Sequence, residues 1–352
     1  MADKPLLPAT PGPDDARRTT IVIQQPSSRT WMIRALFVGL LISLLFNAAL
    51  FVSFGEYYGV ADGPNERYHS GDKSASERIA IVEINGTISP PFTGRILKAI
   101  QKARHDDDVK GVLLAIDSPG GLVADSHMIY HELELLRQKK PIAVIMKRLA
   151  ASGGLYAAMG VGNEGRIFAE PTTWTGSIGV IIPHYDLSGL AQNMGIKAEP
   201  LKTGELKDAL SPFRELGDKE REVWTVIMDE AFQRFITVID DNRDGLDRDR
   251  VLELATGQVY TAQQALDAKL IDAIGFEEDA IAHLKQHLQL DEVRVVRYET
   301  PPALIDLLTG AAEAQRPEAQ WQSLMELTVP RAMYYCSWLP ELGGLHRASA
   351  GR

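Results

Sequence analysis

Cysteine is almost missing: Cys336 is the single one in 352 residues. An internal disulfide framework is thereby excluded, and no Cys/His cluster has zinc spacing, so neither a metal nor a cofactor is expected. Scarce cysteine suits an oxidising compartment. An excess of positive charge is also missing. The 47 acidic side chains outnumber 37 basic ones, for a formal charge of -10, which argues against a general nucleic-acid binder. The stretch from Ala35 to Phe54 lacks charge altogether.

That uncharged run has the length of about 20 residues that a helix needs to cross a bilayer. Arg17, Arg18, Arg29 and Arg34 precede it, and Glu56, Asp62 and Glu66 follow it. The positive-inside rule then places the N-terminus in the cytoplasm and the bulk of the chain outside. Trp31, Tyr57 and Tyr58 stand where interfacial aromatics belong. A cleaved signal peptide is the competing reading, but its apolar region is shorter and ends on small residues, whereas Glu56-Tyr57-Tyr58 follows here. Residues 31–56 read as a membrane anchor contacting lipid through 35–54. Residues 1–30, with Pro5, Pro8, Pro11, Pro13 and Pro26, read as a disordered tail, and residues 57–77 as a hydrophilic linker.

Beyond the linker, strands alternate with helices. Ile79–Gly86, Gly111–Ile116 and Ile142–Met146 are apolar runs of strand length. The second and third lack polar alternation, as buried parallel strands do. Helical spacing appears over 94–104 (Ile96, Leu97, Ile100), at Ile129, Leu133 and Leu136, and strongly over 218–242. Arg166–Ala169 and a glycine-broken run over 175–182 read as further strands. Shorter helices are expected near 187–194, 247–254, 262–268 and 277–289, before a strand at 293–296. This alternation predicts an α/β fold of right-handed βαβ units on a mostly parallel sheet. Asp106-Asp107-Asp108 reads as a solvated loop. The last ~55 residues, with Trp321, Leu324, Met325, Leu327, Met333 and Trp338, read either as an amphipathic helix against a partner or membrane or as a poorly ordered tail.

The chemistry centres on Ala151-Ser152-Gly153-Gly154, between a strand end and the start of a small-residue helix. A hydroxyl there is well placed as a nucleophile, because helix-start N–H groups favour a neighbouring oxyanion. An ordinary N-cap serine with a glycine turn fits the same four residues. A base is also needed. His127, His131 and His184 lie in the domain, yet none sits where a strand meets a helix start. His127 and His131 share a helix face, but no acidic residue at matching spacing joins them as a metal site. A buried lysine serves instead where its pKa falls towards neutrality, and serine–lysine dyads are a known variant of triad logic. Lys207, between Leu206, Ala209 and Leu210, is a candidate, although spacing alone equally suits a surface lysine.

Taken in order, Asp117-Ser118-Pro119-Gly120-Gly121, Ala151-Ser152-Gly153-Gly154, Thr175-Gly176-Ser177-Ile178-Gly179 and Lys202-Thr203-Gly204 through Lys207-Asp208 resemble the signal peptide peptidase A family. Gly257–Ala265 and Leu270–Gly275 add to the resemblance, which covers roughly residues 78–297. It implies a membrane-anchored serine/lysine protease with a fold like the Clp protease and the crotonases. Ser152 would be the nucleophile, Lys207 the general base and Ser177 the partner that orients the lysine. Gly120, Gly121 and Gly153 would form the oxyanion hole. The implied substrates are peptides, chiefly remnant signal peptides, and the implied location is a bacterial-type cell membrane with the catalytic domain extracytoplasmic. One copy of the motifs matches the short form of the family. In the tandem form the lysine and serine come from different copies, so identical chains in a homo-oligomeric ring would here share their sites. The Lys147-Arg148-Leu149 lead-in and the segment 298–352 depart from the pattern. Two rival readings are a crotonase-like acyl-CoA enzyme and an inactive membrane scaffold.

Overall fold

The structure, a computed structural model, describes residues 28–57, 64–299 and 333–335. Of the tail expected over 1–30, residues 1–27 lie outside the described residues, as does most of the C-terminal extension, whereas residues 28–30 begin the first helix. The chain divides into two units, Met1–Asp62 and Gly63–Arg352. In the first, helix α1 (Ser28–Tyr57) contains the span Trp31–Leu50, long and apolar enough to cross a membrane. Leu36, Phe37, Leu40 and Phe46 are exposed along it, so no polar face is available to water.

The second unit opens on β1 (Asn65–Gly71) and β2 (Arg78–Asn85). Then come α2 (Phe92–His105), β3 (Val109–Ser118), the short β4 (Gly120–Leu122) and α3 (Val123–Arg137). Strand β5 (Ile142–Ala151) leads into α4 (Gly153–Ala158), followed by β6 (Arg166–Ala169) and β7 (Trp174–Gly176). After α5 (Ser188–Asn193) comes the long α6 (Asp218–Asn242), then α7 (Arg248–Leu254), β8 (Val259–Thr261) and α8 (Ala262–Asp267). The series closes with β9 (Ala273–Ile274), α9 (Glu277–Leu288), β10 (Arg294–Glu299) and β11 (Met333–Tyr335).

The main sheet runs β1-β10-β2-β3-β5-β6-β9, with β7 and β8 branching from β5. Its pairs are parallel except β1 with β10 and β7 with β8. The α/β, mostly parallel architecture is therefore as expected. The central strands are apolar throughout because both faces are covered. Val82, Leu114, Val144 and Met146 point into the core under α2, α3, α4 and α6. Ile81, Leu113, Ala143 and Ile145 point into a second core completed by Ala280, Ile281 and Leu284 of α9.

Two expectations need correction. Residues 57–77 are not all linker: β1 pairs with β10 from Asn65↔Glu299 to Gly71↔Arg294. This edge strand is mostly exposed and carries no apolar pattern to read; main-chain pairing and ion pairs such as Arg67–Glu299 hold it. Nor is Asp106–Asp108 merely solvated. Asp106 and Asp108 take the guanidinium of Arg78 at 3.3 and 2.6 Å, and Glu66 takes it at 2.5 Å, with the Arg78 side chain only 11% exposed.

A second ionic cluster ties the far edge. Arg243, buried after the end of α6, makes a two-pronged bond to Asp272 at 2.7 and 3.0 Å and donates to Lys269 O. Asp272 also accepts from the Ile167 amide of β6 at 2.7 Å. Removing one partner of a buried pair strands the other. Arg243→Ala should therefore lower unfolding free energy by about 3 kcal/mol, read as an earlier midpoint in denaturant titration. An unmoved midpoint would show that the pair is dispensable.

Candidate active site

Beta-5 forks. As far as Met146 it pairs with β6, and from Leu149 to Ala151 it pairs with β7. Thr173 and Thr175 secure the fork through their hydroxyls, donating to Met146 O at 3.0 Å and Ala150 O at 2.7 Å. Ser152 follows directly, at the carboxyl end of a central parallel strand, where open α/β sheets place their sites. Its φ is 53° and its ψ -114°, a left-handed setting that a non-glycine residue adopts only under constraint. The constraint is visible. The Ser152 amide donates to Gly176 O at 2.7 Å, and Ser152 O accepts from Tyr156 N at 2.8 Å as α4 begins.

The Ser152 hydroxyl is fully buried and has no hydrogen-bond partner among the described residues. Around it, three of the predicted glycines meet at van der Waals range. A Cβ on Gly153 would lie 2.5 Å from Ser126 Oγ and 3.1 Å from both Gly120 Cα and Gly121 N. A Cβ on Gly120, whose φ is +96°, would lie 2.5 Å from Gly153 N. The Gly120 amide itself donates to Ser118 Oγ at 3.1 Å, and Ser118 Oγ donates in turn to Gly86 O at 2.6 Å. Gly120 thus contributes its missing side chain, and Gly121 N lies 3.1 Å from where a Gly153 Cβ would stand.

Ser177 is next to the carbonyl that holds Ser152. It is buried, with φ 51°, and its amide donates to Gln258 O at 2.7 Å. With Gly176 at φ +86°, this turn ends β7, so the glycine-broken run predicted over 175–182 is a strand only to Gly176. Lys207 is elsewhere. It lies on a single 3-10 turn, Glu205–Asp208, is exposed, and makes no ion pair among the described residues. Within one chain, then, Ser152 and Ser177 are brought together and Lys207 makes no hydrogen bond to either hydroxyl.

The histidines fall outside this cluster. His127 Nδ1 shares a hydrogen bond with Tyr156 OH at 2.8 Å, and its pKa is lowered by burial and by the nearby Arg234 charge. His131 lies 3.8 Å from Glu134. An open cleft of about 680 Å³ beside α4 is lined by Leu122, His127, Tyr156, Ile227, Ala231 and Arg234. The Lys147-Arg148 lead-in is structural: Lys147 pairs with Glu277 at 2.7 Å and Arg148 with Asp117 at 2.5 Å.

One cluster escaped sequence reasoning. Arg214 donates to Asp208 at 2.9 Å and to Glu220 of α6, and Lys202 adds a bond to Asp208 at 2.7 Å. Hydrogen bonds from Arg214 and Lys202 hold the Asp208 carboxyl well below the usual carboxylate range. A depressed carboxylate keeps its interaction above its unfolded pKa and loses it only as pH falls through the folded one. The turn bearing Lys207 is therefore clamped at neutral pH. Residues 209–217 form neither helix nor strand, so no periodicity marked them.

Residues 134–291 match the model of peptidase family S49. A protein of Enterococcus faecium, provisionally named signal peptide peptidase SppA, is 32% identical over 291 residues, covering 79% of this chain and 81% of its own. A protein of Synechocystis, provisionally named a protease, is 34% identical over 268 residues, covering 75% and 93%. Among solved structures, a ClpP1 variant from Listeria monocytogenes aligns with a TM-score of 0.41 and 17% identity, over 57% of this chain and 94% of that one.

The glycine packing makes its own prediction. Gly153→Ala should leave the fold intact and lower kcat/KM for peptide hydrolysis at least tenfold, since the new methyl meets Ser126 Oγ. Adding Ser126→Ala, which removes that oxygen, should recover part of the loss. Equal rates in the single and double variants would place the obstruction elsewhere.

Proposed function

Because the chain belongs to peptidase family S49 and is a serine peptidase, we propose that Ser152 is its nucleophile and Lys207, from a neighbouring copy of the chain, its general base. One observation carries this reading: a buried hydroxyl without a partner, held at a positive φ where a strand becomes a helix. A hydroxyl left unpaired in the interior is costly, and such costs are retained at sites that use them. Peptidase family membership also leaves the acyl-CoA and scaffold readings without support.

The chemistry is acyl transfer. Neutral Lys207 Nζ takes the Ser152 proton as Oγ attacks a peptide carbonyl carbon. The Gly121 and Gly153 amides then receive the developing oxyanion, each such donor contributing about 3–4 kcal/mol in a comparable protease. The lysine returns its proton to the leaving amine, and water hydrolyses the ester. Ser177 orients the lysine amine.

The need for a second chain rests on where Lys207 stands. It lies on the arm over 178–217, which also exposes Ile181, Tyr185, Leu187, Leu190, Met194, Ile196, Leu201 and Phe213. So many exposed apolar side chains on one segment suit a contact face. Identical chains joined head to tail would repeat the lysine–serine pairing around a closed ring. With α1 as the anchor and its N-terminus cytoplasmic, the ring would meet apolar peptides released at the bilayer. Remnant signal peptides fit that description.

A fluorophosphonate probe should label wild type and not Ser152→Ala. Lys207→Ala and Lys207→Arg should be inactive, since guanidinium does not serve as a neutral base. Mixing Ser152→Ala with Lys207→Ala chains should restore part of the activity. Mixed assemblies that form and stay inactive would show that each chain builds its own site. Arg214→Ala, by loosening the turn under Lys207, should lower kcat several-fold with KM little changed; an unaltered kcat would remove the clamp from the mechanism.

A further inference from the structure

Helix α4 is only 6 residues long, and its first turn closes on the site through one bond, from the Tyr156 amide to Ser152 O at 2.8 Å. A helix this short has little stability of its own, so the packing of the Tyr156 side chain decides how firmly that turn is seated. The ring is fully buried. Tyr130 and Phe235 meet it edge-on at 5.5 and 5.1 Å, and Tyr334 stacks on it at 4.9 Å. Its hydroxyl has one hydrogen-bond partner among the described residues, His127 Nδ1 of α3, at 2.8 Å.

The chemistry of that bond fixes its protons. Burial pushes the Tyr156 phenol far up, so it keeps its proton and donates it to its single partner. His127 therefore accepts through Nδ1, as a neutral ring whose own proton is on Nε2. Only the neutral ring can accept. His127 lines the open cleft and is exposed along it, so solvent protons reach it. Partial burial and the Arg234 charge hold its pKa below the ordinary histidine value. Once protonated, Nδ1 carries a hydrogen as well, and the buried phenol is left without an acceptor, which is costly.

We propose that His127 is a positioning residue for the reaction: in its neutral form it takes the Tyr156 hydroxyl and so seats the first turn of α4 against Ser152, and acid releases that turn by protonating the ring. The effect on rate rests on the reading of Ser152 as nucleophile; the proton arrangement does not. The titratable and charged groups that face the pair are Asp125, Tyr130, His131 and Glu134 of α3, Glu230 and Arg234 of α6, and Tyr334. His131 is the other imidazole among them and serves as the control.

The test is kcat against pH for peptide hydrolysis by the full chain in detergent. Protonation of a lysine base lowers log kcat with unit slope towards acid. Wild type should show a further drop of about fivefold or more, centred below about pH 6.5. His127→Leu, which cannot accept, should lower kcat about fivefold at neutral pH, with KM little changed and no further drop in acid. His127→Gln, whose side-chain oxygen accepts, should recover at least half of that loss and also show no drop. The drop should remain in His131→Gln. Tyr156→Phe has no hydroxyl proton to place, so adding His127→Leu to it should cost nothing more. A wild-type kcat in His127→Leu, a drop that persists in His127→Gln or vanishes in His131→Gln, or losses that multiply in the double variant would overturn the proposal. Should Ser152→Ala hydrolyse peptide as fast as wild type, the nucleophile reading falls and unfolding decides on the pair. The folded chain resists protonation of His127, so its stability falls as pH drops below about 6.5. The denaturant midpoint should then fall further in wild type than in His127→Gln between neutral pH and about pH 5, and equal falls would show that His127 does not hold the hydroxyl.

Discussion

The hydrogen bond from the Ser152 amide to Gly176 O is the point on which the site depends. A side chain at φ 53° is disfavoured by roughly 1–2 kcal/mol relative to ordinary backbone, and this 2.7 Å bond, with the start of α4, holds it there. The bond requires β7 to stand beside the last three residues of β5, which requires the fork secured by Thr173 and Thr175. It also requires the turn at Gly176 and Ser177, with Gly176 too close to the Tyr260 ring for any Cβ: one would lie 2.5 Å away.

A second constraint is close approach. Gly120, Gly121 and Gly153 lie so near one another that each position excludes a side chain for a different reason. Gly121 is filled by Ile88, whose carbonyl would be 2.0 Å from a Cβ, and Gly120 faces Tyr334 O and Gly153 N. The same absence of side chains lets β11 lie flat against Gly120 and Gly121. The arm over 178–217 contrasts with it. It exposes many apolar side chains, among them Leu190, Met194 and Leu201, while Arg214 ties it to Asp208 and Glu220.

The sequence by itself determined the sheet and the elbow. Apolar runs at Ile79–Ile84, Gly111–Ile116 and Ile142–Met146 have one stable use, as strands covered on both faces, and the α6 pattern over 218–242 matched the helix residue for residue. The place of Ser152 between a strand end and a helix start was legible, because an apolar run precedes it and two glycines and small residues follow. Other features were not legible. Strand β1 is mostly exposed and carries no apolar pattern to read. The Arg214 clamp is built from a segment that is neither helix nor strand. The placing of Tyr334 against Gly121 brings together positions more than 200 apart, and no local preference encodes a pairing at that range. Local chemistry and periodicity are written residue by residue. Which edge a short strand finds, and which hydroxyl is left without a partner, is decided only when the whole core closes around them.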